Sequence, residues 1–206
     1  DRRLQFLAYR ELKAAVAEHK AVGGTAVVLD VATGEVLAMV NQPGYNPNDL
    51  RGGDSERRRN RALTDTMEPG STVKPLVVAA VLERGLVKPT TRIATGGGSY
   101  AVANGVVRDV HSYGTLDVTG IITKSSNVGA VKLAQMMDYK GLWTLYDQLG
   151  FGHKTGVEFP AETRGTLRSH KTWRPFEHAT MAFGYGLSVT ALQLAQAYSV
   201  LAADGI

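Results

Sequence analysis

Apolar residues recur along the chain at two periods, one typical of helices and one typical of strands. Near the start they step by three and four residues between charged positions, which predicts an amphipathic helix that ends near Gly23-Gly24. Two β-rich runs follow at 25–31 and 36–40, and the short Gly-containing turn between them predicts a hairpin. Prolines, glycines, Asn and Asp crowd residues 41–54, which predicts a loop. The apolar positions of the first helix are Leu4, Leu7, Ala8, Leu12, Ala15 and Val16.

Helical spacing dominates the rest of the chain. A helical run begins at Ser71, directly behind a Pro-Gly pair, and Gly85 stands where a C-terminal cap is expected. Residues 90–115 are Gly-rich with short β-like runs, and residues 150–180 look irregular. A hairpin combined with several helices predicts a mixed α/β fold (α+β-like). With no linker or repeat, residues 1–206 are expected to form one domain or one incomplete domain. The predicted helices are 71–84, 116–123, 128–137, 142–149 and 189–203.

Composition narrows the function classes only slightly. The 206 residues include no cysteine, so disulfides and thiolate metal sites are excluded. The net charge is +4, and the densest basic run, 57–61, is interpreted as a solvated loop because no aromatic residues interleave with it as nucleic-acid stacking would require. No apolar stretch approaches the roughly 20 residues that span a bilayer. Both ends look cut, so we expect a piece of a longer protein.

The segment around Ser71 and Lys74 carries the most specific chemistry. Pro69-Gly70 forces a sharp turn that places Ser71 at or near the first turn of a helix, where unpaired backbone N–H groups can stabilise negative charge. Lys74 lies about one helical turn further on, on the same face. A lysine whose pKa is lowered by burial can take the proton of a serine nucleophile. A serine cap followed by a surface lysine would give the same spacing, so the spacing alone leaves both interpretations open.

A second motif, Ser125-Ser126-Asn127, lies between two predicted helices. In this order the two motifs resemble those of penicillin-binding proteins and serine β-lactamases. Residues 29–39 also resemble the opening hairpin of the transpeptidase domain, and the chain is most similar to class B penicillin-binding proteins of the cell-division (FtsI) type. The resemblance implies a truncated penicillin-binding protein/β-lactamase-like transpeptidase fold. Further similar segments are 45–48, 59–62 and 183–190.

The resemblance also implies roles for individual residues. Ser71 would be acylated, Lys74 would accept its proton, Ser125 would relay a proton to the leaving amine, and Asn127 would hold the peptide amide and orient Lys74. Gly70 and Ser126 are expected to contact substrate. No metal or organic cofactor is implied. The implied partners are peptidoglycan stem peptides, β-lactams and other membrane proteins of the division complex, with no nucleic acid, on the periplasmic side of the inner membrane with the anchor outside this chain.

The family's third motif, K-[ST]-G on a strand, has one apparent match, Lys154-Thr155-Gly156. No apolar run precedes it and it follows Asn127 too closely, so we interpret it as a loop and expect the true motif downstream of this chain. A fragment without that strand is expected to be impaired, because loss of one oxyanion donor costs about 10²–10³ in rate. Two alternatives remain: a serine β-lactamase or penicillin-sensing domain, and a non-catalytic piece that binds an anionic partner through residues 57–61.

Overall fold

The structure is a computed structural model that describes residues 1–48 and 55–205. It is a mixture of helix and sheet, as predicted. In chain order the elements are α1 (Arg2–Glu18), β1 (Gly24–Leu29), β2 (Val36–Gln42), a 3-10 turn (Ser55–Arg58), α2 (Arg61–Thr64), a 3-10 turn (Gly70–Val73), α3 (Lys74–Glu83), β3 (Arg92–Gly96), β4 (Ser99–Val102), β5 (Gly105–Arg108), β6 (Gly114–Asp117), α4 (Val118–Thr123), α5 (Asn127–Ala134), α6 (Tyr139–Gln148), a 3-10 turn (His170–Thr172), α7 (Pro175–Met181) and α8 (Ala191–Ala202).

The chain divides into two compact units. The first comprises Asp1–Met67, His153–Gly165 and Val189–Ile206, and the second comprises Glu68–Gly152 and Thr166–Ser188. The expectation of one incomplete domain over 1–206 stays a prediction. Within the described residues, no helix combines the length and the apolar character needed to cross a bilayer.

The first unit is built on the predicted hairpin. Strands β1 and β2 pair antiparallel, and α1 and α8 both pack against them. The loop predicted at 41–54 starts later than expected, because β2 continues to Gln42, and its residues 49–54 lie outside the described part of the chain.

Helix α1 ends at Glu18, five residues before the predicted end, so that boundary was wrong. The helix closes with the paired hydrogen bonds of a Schellman motif, from Lys20 N to Ala17 O and from Ala21 N to Val16 O. Lys20 occupies the left-handed position at φ +49°, where glycine is the usual residue. A lysine at that position gives no sequence signal for a helix end.

The second unit is centred on α3 and α5. Helix α3 is apolar on every side, which is typical of a helix surrounded by protein, and the side chains of Val77 and Val81 are fully buried. Helix α5 packs against it with Val128 and Val131 buried in the same way. As predicted, Gly85 caps α3 in the left-handed conformation, at φ +66°.

Two further sequence predictions were wrong. The helix predicted from Leu116 starts at Val118, because Leu116 pairs with Ile93 in the β3–β6 ladder and the Asp117 carboxylate accepts a hydrogen bond from Gly120 N to cap α4.

Residues 150–180 are not wholly irregular, since they contain α7. Its sequence signal was Pro175 at the first position with Glu177 two residues later, whose carboxylate accepts the Arg174 N–H at 2.7 Å.

Candidate active site

Ser71 lies in a 3-10 turn that leads directly into α3, rather than in the α-helix predicted to begin there. Gly70, at φ +58°, makes the sharp turn in front of it, as the Pro-Gly pair predicted. The Ser71 side chain is exposed, and its hydroxyl has no hydrogen-bond partner among the residues that the structure describes. The nucleophile candidate is therefore accessible, and nothing within the described structure holds its side chain.

Lys74 is the unusual residue of this helix, because its side chain is only 2% exposed. Its amine donates to the backbone oxygen of Ser125 at 2.6 Å, to the Ser125 hydroxyl at 3.0 Å and to Asn127 Oδ1 at 2.7 Å. An ammonium has three protons, and three acceptors surround it. The structure thus places the Lys74 amine against Ser125 and Asn127 of the second motif, whereas no hydrogen bond joins Lys74 to Ser71 in the described residues.

Burial lowers the pKa of Lys74 to about 8, and the carboxylate of Asp109 partly opposes that shift. The removal of water disfavours the charged amine, and no carboxylate forms an ion pair with it among the described residues. At pH 7 a lysine with this pKa is neutral in about a tenth of the molecules. The structure thus gives Lys74 the property that a proton acceptor for a serine requires.

The three acceptors also fix where a neutral Lys74 would carry its lone pair. The Ser125 carbonyl and Asn127 Oδ1 can only accept, so they take the two protons of a neutral amine. The Ser125 hydroxyl, 3.0 Å away, can donate instead. In the neutral state a proton can therefore pass between Ser125 and Lys74.

Ser125 holds a position where glycine is the common choice. It follows α4 in a Schellman motif, with hydrogen bonds from Ser125 N to Ile122 O and from Ser126 N to Ile121 O. Its φ is +52°, a conformation that costs a residue with a Cβ roughly 1–2 kcal/mol. The serine brings both its carbonyl and its hydroxyl to the Lys74 amine, which a glycine could do only in part. Backbone strain of this kind is common at functional sites.

Asn127 is the first residue of α5, and its amide orientation is set from both ends. Its Nδ2 donates to Arg108 O at 2.8 Å, so its Oδ1 must face the Lys74 amine. The carbonyl of Arg108 comes from the end of β5. Asn127 thus has its amide oxygen directed at the Lys74 amine, and the orienting role that the resemblance implied stays a prediction.

Ser126 is a predicted site residue whose side chain lies away from the Lys74 amine. It is fully buried, its hydroxyl donates to Asp109 Oδ2 at 2.7 Å, and the same hydroxyl accepts from Gly129 N to cap α5. Its backbone N–H and carbonyl are bonded to Ile121 and Ala130. No group of Ser126 is left to contact a substrate, so its place in the motif is structural.

Asp109 is a residue of the site that was not predicted from the sequence. Its two carboxylate oxygens accept from the Ser126 hydroxyl and from Val128 N, which ties the loop after β5 to the start of α5. It is also the charge that raises the pKa of Lys74 against the effect of burial. An Asp at the end of a short strand is common, and only the folded chain brings it next to residues 126–128. No sequence signal could have found it.

Gly70, predicted to contact substrate, uses its backbone N–H within the protein. That N–H donates to Gly184 O at 3.1 Å, and the Glu68 carboxylate nearby accepts from Gly186 N at 2.9 Å. The turn before Ser71 is therefore held by the loop that contains Gly184 and Gly186. A direct substrate contact of Gly70 stays a prediction.

The apparent third motif is a loop, as predicted. Lys154-Thr155-Gly156 belongs to no strand, and Lys154 is exposed. Thr155 donates through its backbone N–H and its hydroxyl to Glu162 Oε1, at 2.7 and 2.6 Å. The threonine is used to hold the loop together, and the segment lies in the first compact unit whereas Ser71 and Lys74 lie in the second.

An exposed serine ahead of a buried lysine with a lowered pKa, faced by a serine hydroxyl and an asparagine amide, is the arrangement expected of a serine acyltransferase that uses no histidine base. Comparison with known proteins agrees with this class. Residues 24–206 match the penicillin binding protein transpeptidase domain. The chain therefore belongs to the penicillin-binding protein transpeptidase family.

Three relatives show what the chain is similar to within this family. It is 51% identical over 205 residues to the probable peptidoglycan D,D-transpeptidase PenA of Neisseria flavescens, covering 100% of this chain and 51% of the relative. It is 47% identical over 206 residues to the peptidoglycan D,D-transpeptidase FtsI of Escherichia coli K12, covering 100% of this chain and 35% of the relative. The apo transpeptidase domain of Burkholderia pseudomallei penicillin-binding protein 3 superimposes with a TM-score of 0.90 at 43% identity, covering 100% of this chain and 57% of that structure.

These comparisons confirm the recognition of the family and the predicted transpeptidase fold. The chain spans between about a third and a half of the length of the curated relatives it matches.

Proposed function

We propose that this chain carries the acylation machinery of a serine peptidoglycan D,D-transpeptidase, with Ser71 as the nucleophile. The observation that carries the proposal is the buried amine of Lys74, held by Ser125 and Asn127 and with its pKa lowered to about 8. A surface lysine behind a capping serine, the competing interpretation, would be exposed and would keep its charge. The relatives named as D,D-transpeptidases support the same assignment.

The reaction begins when Ser71 Oγ attacks the carbonyl carbon between the last two D-alanines of a stem peptide. Neutral Lys74 takes the hydroxyl proton as the Oγ–C bond forms, and backbone N–H groups at the first turn of the helical segment stabilise the tetrahedral oxyanion. The C–N bond then breaks. The proton passes from Lys74 through the Ser125 hydroxyl to the leaving amine, which departs as D-alanine.

The resulting ester on Ser71 is resolved by an amine from a neighbouring stem peptide, which forms the cross-link and returns the proton to Ser71. A β-lactam follows the first half of this path, because its amide carbonyl is also attacked by Ser71. Its opened ring stays attached and blocks the second amine. Asn127 contributes by holding the peptide amide and by keeping Lys74 oriented.

For the whole protein we propose a role in septal cell-wall synthesis on the periplasmic side of the inner membrane, with membrane proteins of the division complex as partners. The support is the similarity to relatives named FtsI. The strand that carries the family's third motif would supply a further oxyanion donor and bind the terminal carboxylate of the substrate. Without it we expect slow acylation, lower by about 10²–10³.

The test is the intact mass of the chain after incubation with a penicillin, compared with its Ser71→Ala variant. We expect a stable mass increase that the variant lacks. An adduct that disappears within minutes would indicate a β-lactamase instead. If neither this chain nor a C-terminally extended chain forms an adduct, the transpeptidase proposal is wrong. Salt-sensitive binding of an anionic partner that survives Ser71→Ala would then favour the non-catalytic alternative.

A further inference from the structure

The loop of residues 183–186, which we call the clamp loop, contacts the turn that carries Ser71 at two points. Gly184 O accepts the hydrogen bond from Gly70 N at 3.1 Å, and Gly186 N donates to the Glu68 carboxylate at 2.9 Å. Both bonds join residues more than a hundred positions apart in the sequence. They hold the segment immediately before the nucleophile on both sides of Pro69.

Gly184 approaches the turn so closely that no side chain fits. A Cβ at this position would lie 2.6 Å from the carbonyl carbon of Gly70 and closer still to its O and N atoms. Real Cβ contacts essentially never come within 3.0 Å, and here the obstacle is backbone rather than a flexible side chain. Any larger residue at 184 must therefore separate the clamp loop from Gly70, which alters the support of the turn that carries Ser71.

The clamp loop is itself fixed to the core of the second unit. It ends α7 in a Schellman motif, with hydrogen bonds from Gly184 N to Met181 O and from Tyr185 N to Thr180 O. Met181 is fully buried, and its carbonyl oxygen also accepts from the hydroxyl of the fully buried Tyr146 at 2.7 Å. A rigid support therefore runs from α6 through the end of α7 to the residue before the nucleophile.

The ordinary interpretation of Gly184 is a helix cap, since its φ is +85°. A cap explains the conformation, but it does not explain the contact with Gly70. Gly156 has nearly the same φ, +83°, and a Cβ there would meet nothing within 4 Å. Comparing these two glycines separates the strain of a left-handed residue from the contact with the turn.

We propose that the clamp loop positions the nucleophile, with Gly184 and Glu68 as positioning residues for acylation at Ser71. Neither touches the reacting atoms: Gly184 acts through its contact with Gly70, and Glu68 acts by anchoring the clamp loop at Gly186. The proposal rests on the proposed function, because it assigns a role within acylation. Since displacement of a reacting group by about 1 Å can cost about 10²-fold in rate, a loop that fixes Gly70 can set the rate of the covalent step.

The kinetic test measures acylation by a fluorescent penicillin and separates the binding constant from the rate of ester formation. For Gly184→Ala we expect the rate of ester formation to fall by about 10²-fold while the binding constant changes by less than about threefold. Gly156→Ala, matched in backbone conformation, should keep its acylation rate within about threefold. Glu68→Ala should lose about tenfold, and Glu68→Gln, which keeps an oxygen acceptor for Gly186 N, should recover most of that loss.

A second measurement needs no acylation. Hydrogen exchange at the Gly70 amide should become faster in Gly184→Ala and Glu68→Ala and stay unchanged in Gly156→Ala. If neither this chain nor its C-terminally extended form gives an adduct, the proposed function fails while this exchange still decides whether the clamp loop holds the turn. Equal acylation rates in Gly184→Ala and Gly156→Ala, or faster exchange at Gly70 without slower acylation, would overturn the positioning role. Glu68→Ala provides the test if Gly184→Ala does not fold.

Discussion

Two segments of this chain place a lysine close to a hydroxyl residue and a glycine, and the protein uses them in opposite ways. In the segment of Gly70, Ser71 and Lys74, the lysine is buried and its amine meets three acceptors. In Lys154-Thr155-Gly156 the lysine is exposed and the threonine holds a loop through Glu162. Taken as short motifs without their surroundings, both segments resemble motifs of the transpeptidase family.

The difference between the two segments comes from the elements that carry them. Helix α3 is apolar on every side and largely buried, and the Lys74 amine that projects from it is covered by Ser125 and Asn127. Residues 154–156 follow no strand or helix that could bury them. A motif becomes a reactive site when the fold desolvates its amine and supplies acceptors for it, because only then does the pKa move.

The largest expected effect tests the difference between the two lysines directly. Lys74→Ala should lower acylation by a penicillin about 10³-fold, because the proton acceptor is lost and the Ser125 carbonyl and Asn127 amide lose their common partner. Lys154→Ala should leave acylation unchanged. The measurement is the second-order rate constant for adduct formation, by mass spectrometry. Similar losses in both variants would mean that burial does not distinguish the two lysines.

The next effect concerns the strained residue that faces Lys74. Ser125→Gly and Ser125→Ala both remove the hydroxyl, so both should slow acylation by about 10²-fold through loss of the proton relay. Their stabilities should differ, because only glycine accommodates φ +52° without cost. We expect the Gly variant to be more stable than the Ala variant by about 1 kcal/mol in urea unfolding. Equal stabilities would argue against strain at this position.

The smallest effect is a shift in pH dependence. Because Lys74 must be neutral and its pKa is about 8, acylation should rise about tenfold per pH unit below 8 and level off above it. Asp109→Asn removes the charge that favours the ammonium form, so the pKa of Lys74 should fall further and the inflection should move to lower pH. The measurement is the acylation rate between pH 6 and pH 10, a range set about two units either side of that pKa.

Part of the Asp109→Asn effect has a different origin, and a control variant isolates it. Asp109 also accepts from Ser126 and Val128, so an Asn there loses one acceptor and slows the reaction at every pH. Ser126→Ala removes one of the same hydrogen bonds without changing the charge. It should lower the rate and leave the inflection in place. An inflection that moves equally in both variants would contradict a charge effect of Asp109.

The hairpin, the helix behind Pro69-Gly70 and the meeting of Lys74 with the second motif were all predictable, because each depends on residues close together in sequence or on a motif shared by the family. The end of α1 was not, since Lys20 takes a conformation that usually marks glycine. Ser126 was expected to contact substrate as part of the second motif. Its burial and its bond to Asp109 follow from how α5 packs, and local pattern carries no information on that.

By itself, the sequence determined which chemical groups this protein has and where they stand along the chain. It placed a serine behind a sharp turn, a lysine one turn later and a second hydroxyl and amide between two helices. Only the tertiary structure decided which lysine is desolvated, which serine of the second motif faces it, and that Asp109 and Gly184 support the site. Periodicity and turn chemistry act over a few residues, whereas desolvation and the contacts of Gly70 with Gly184 depend on segments that meet only in the folded chain.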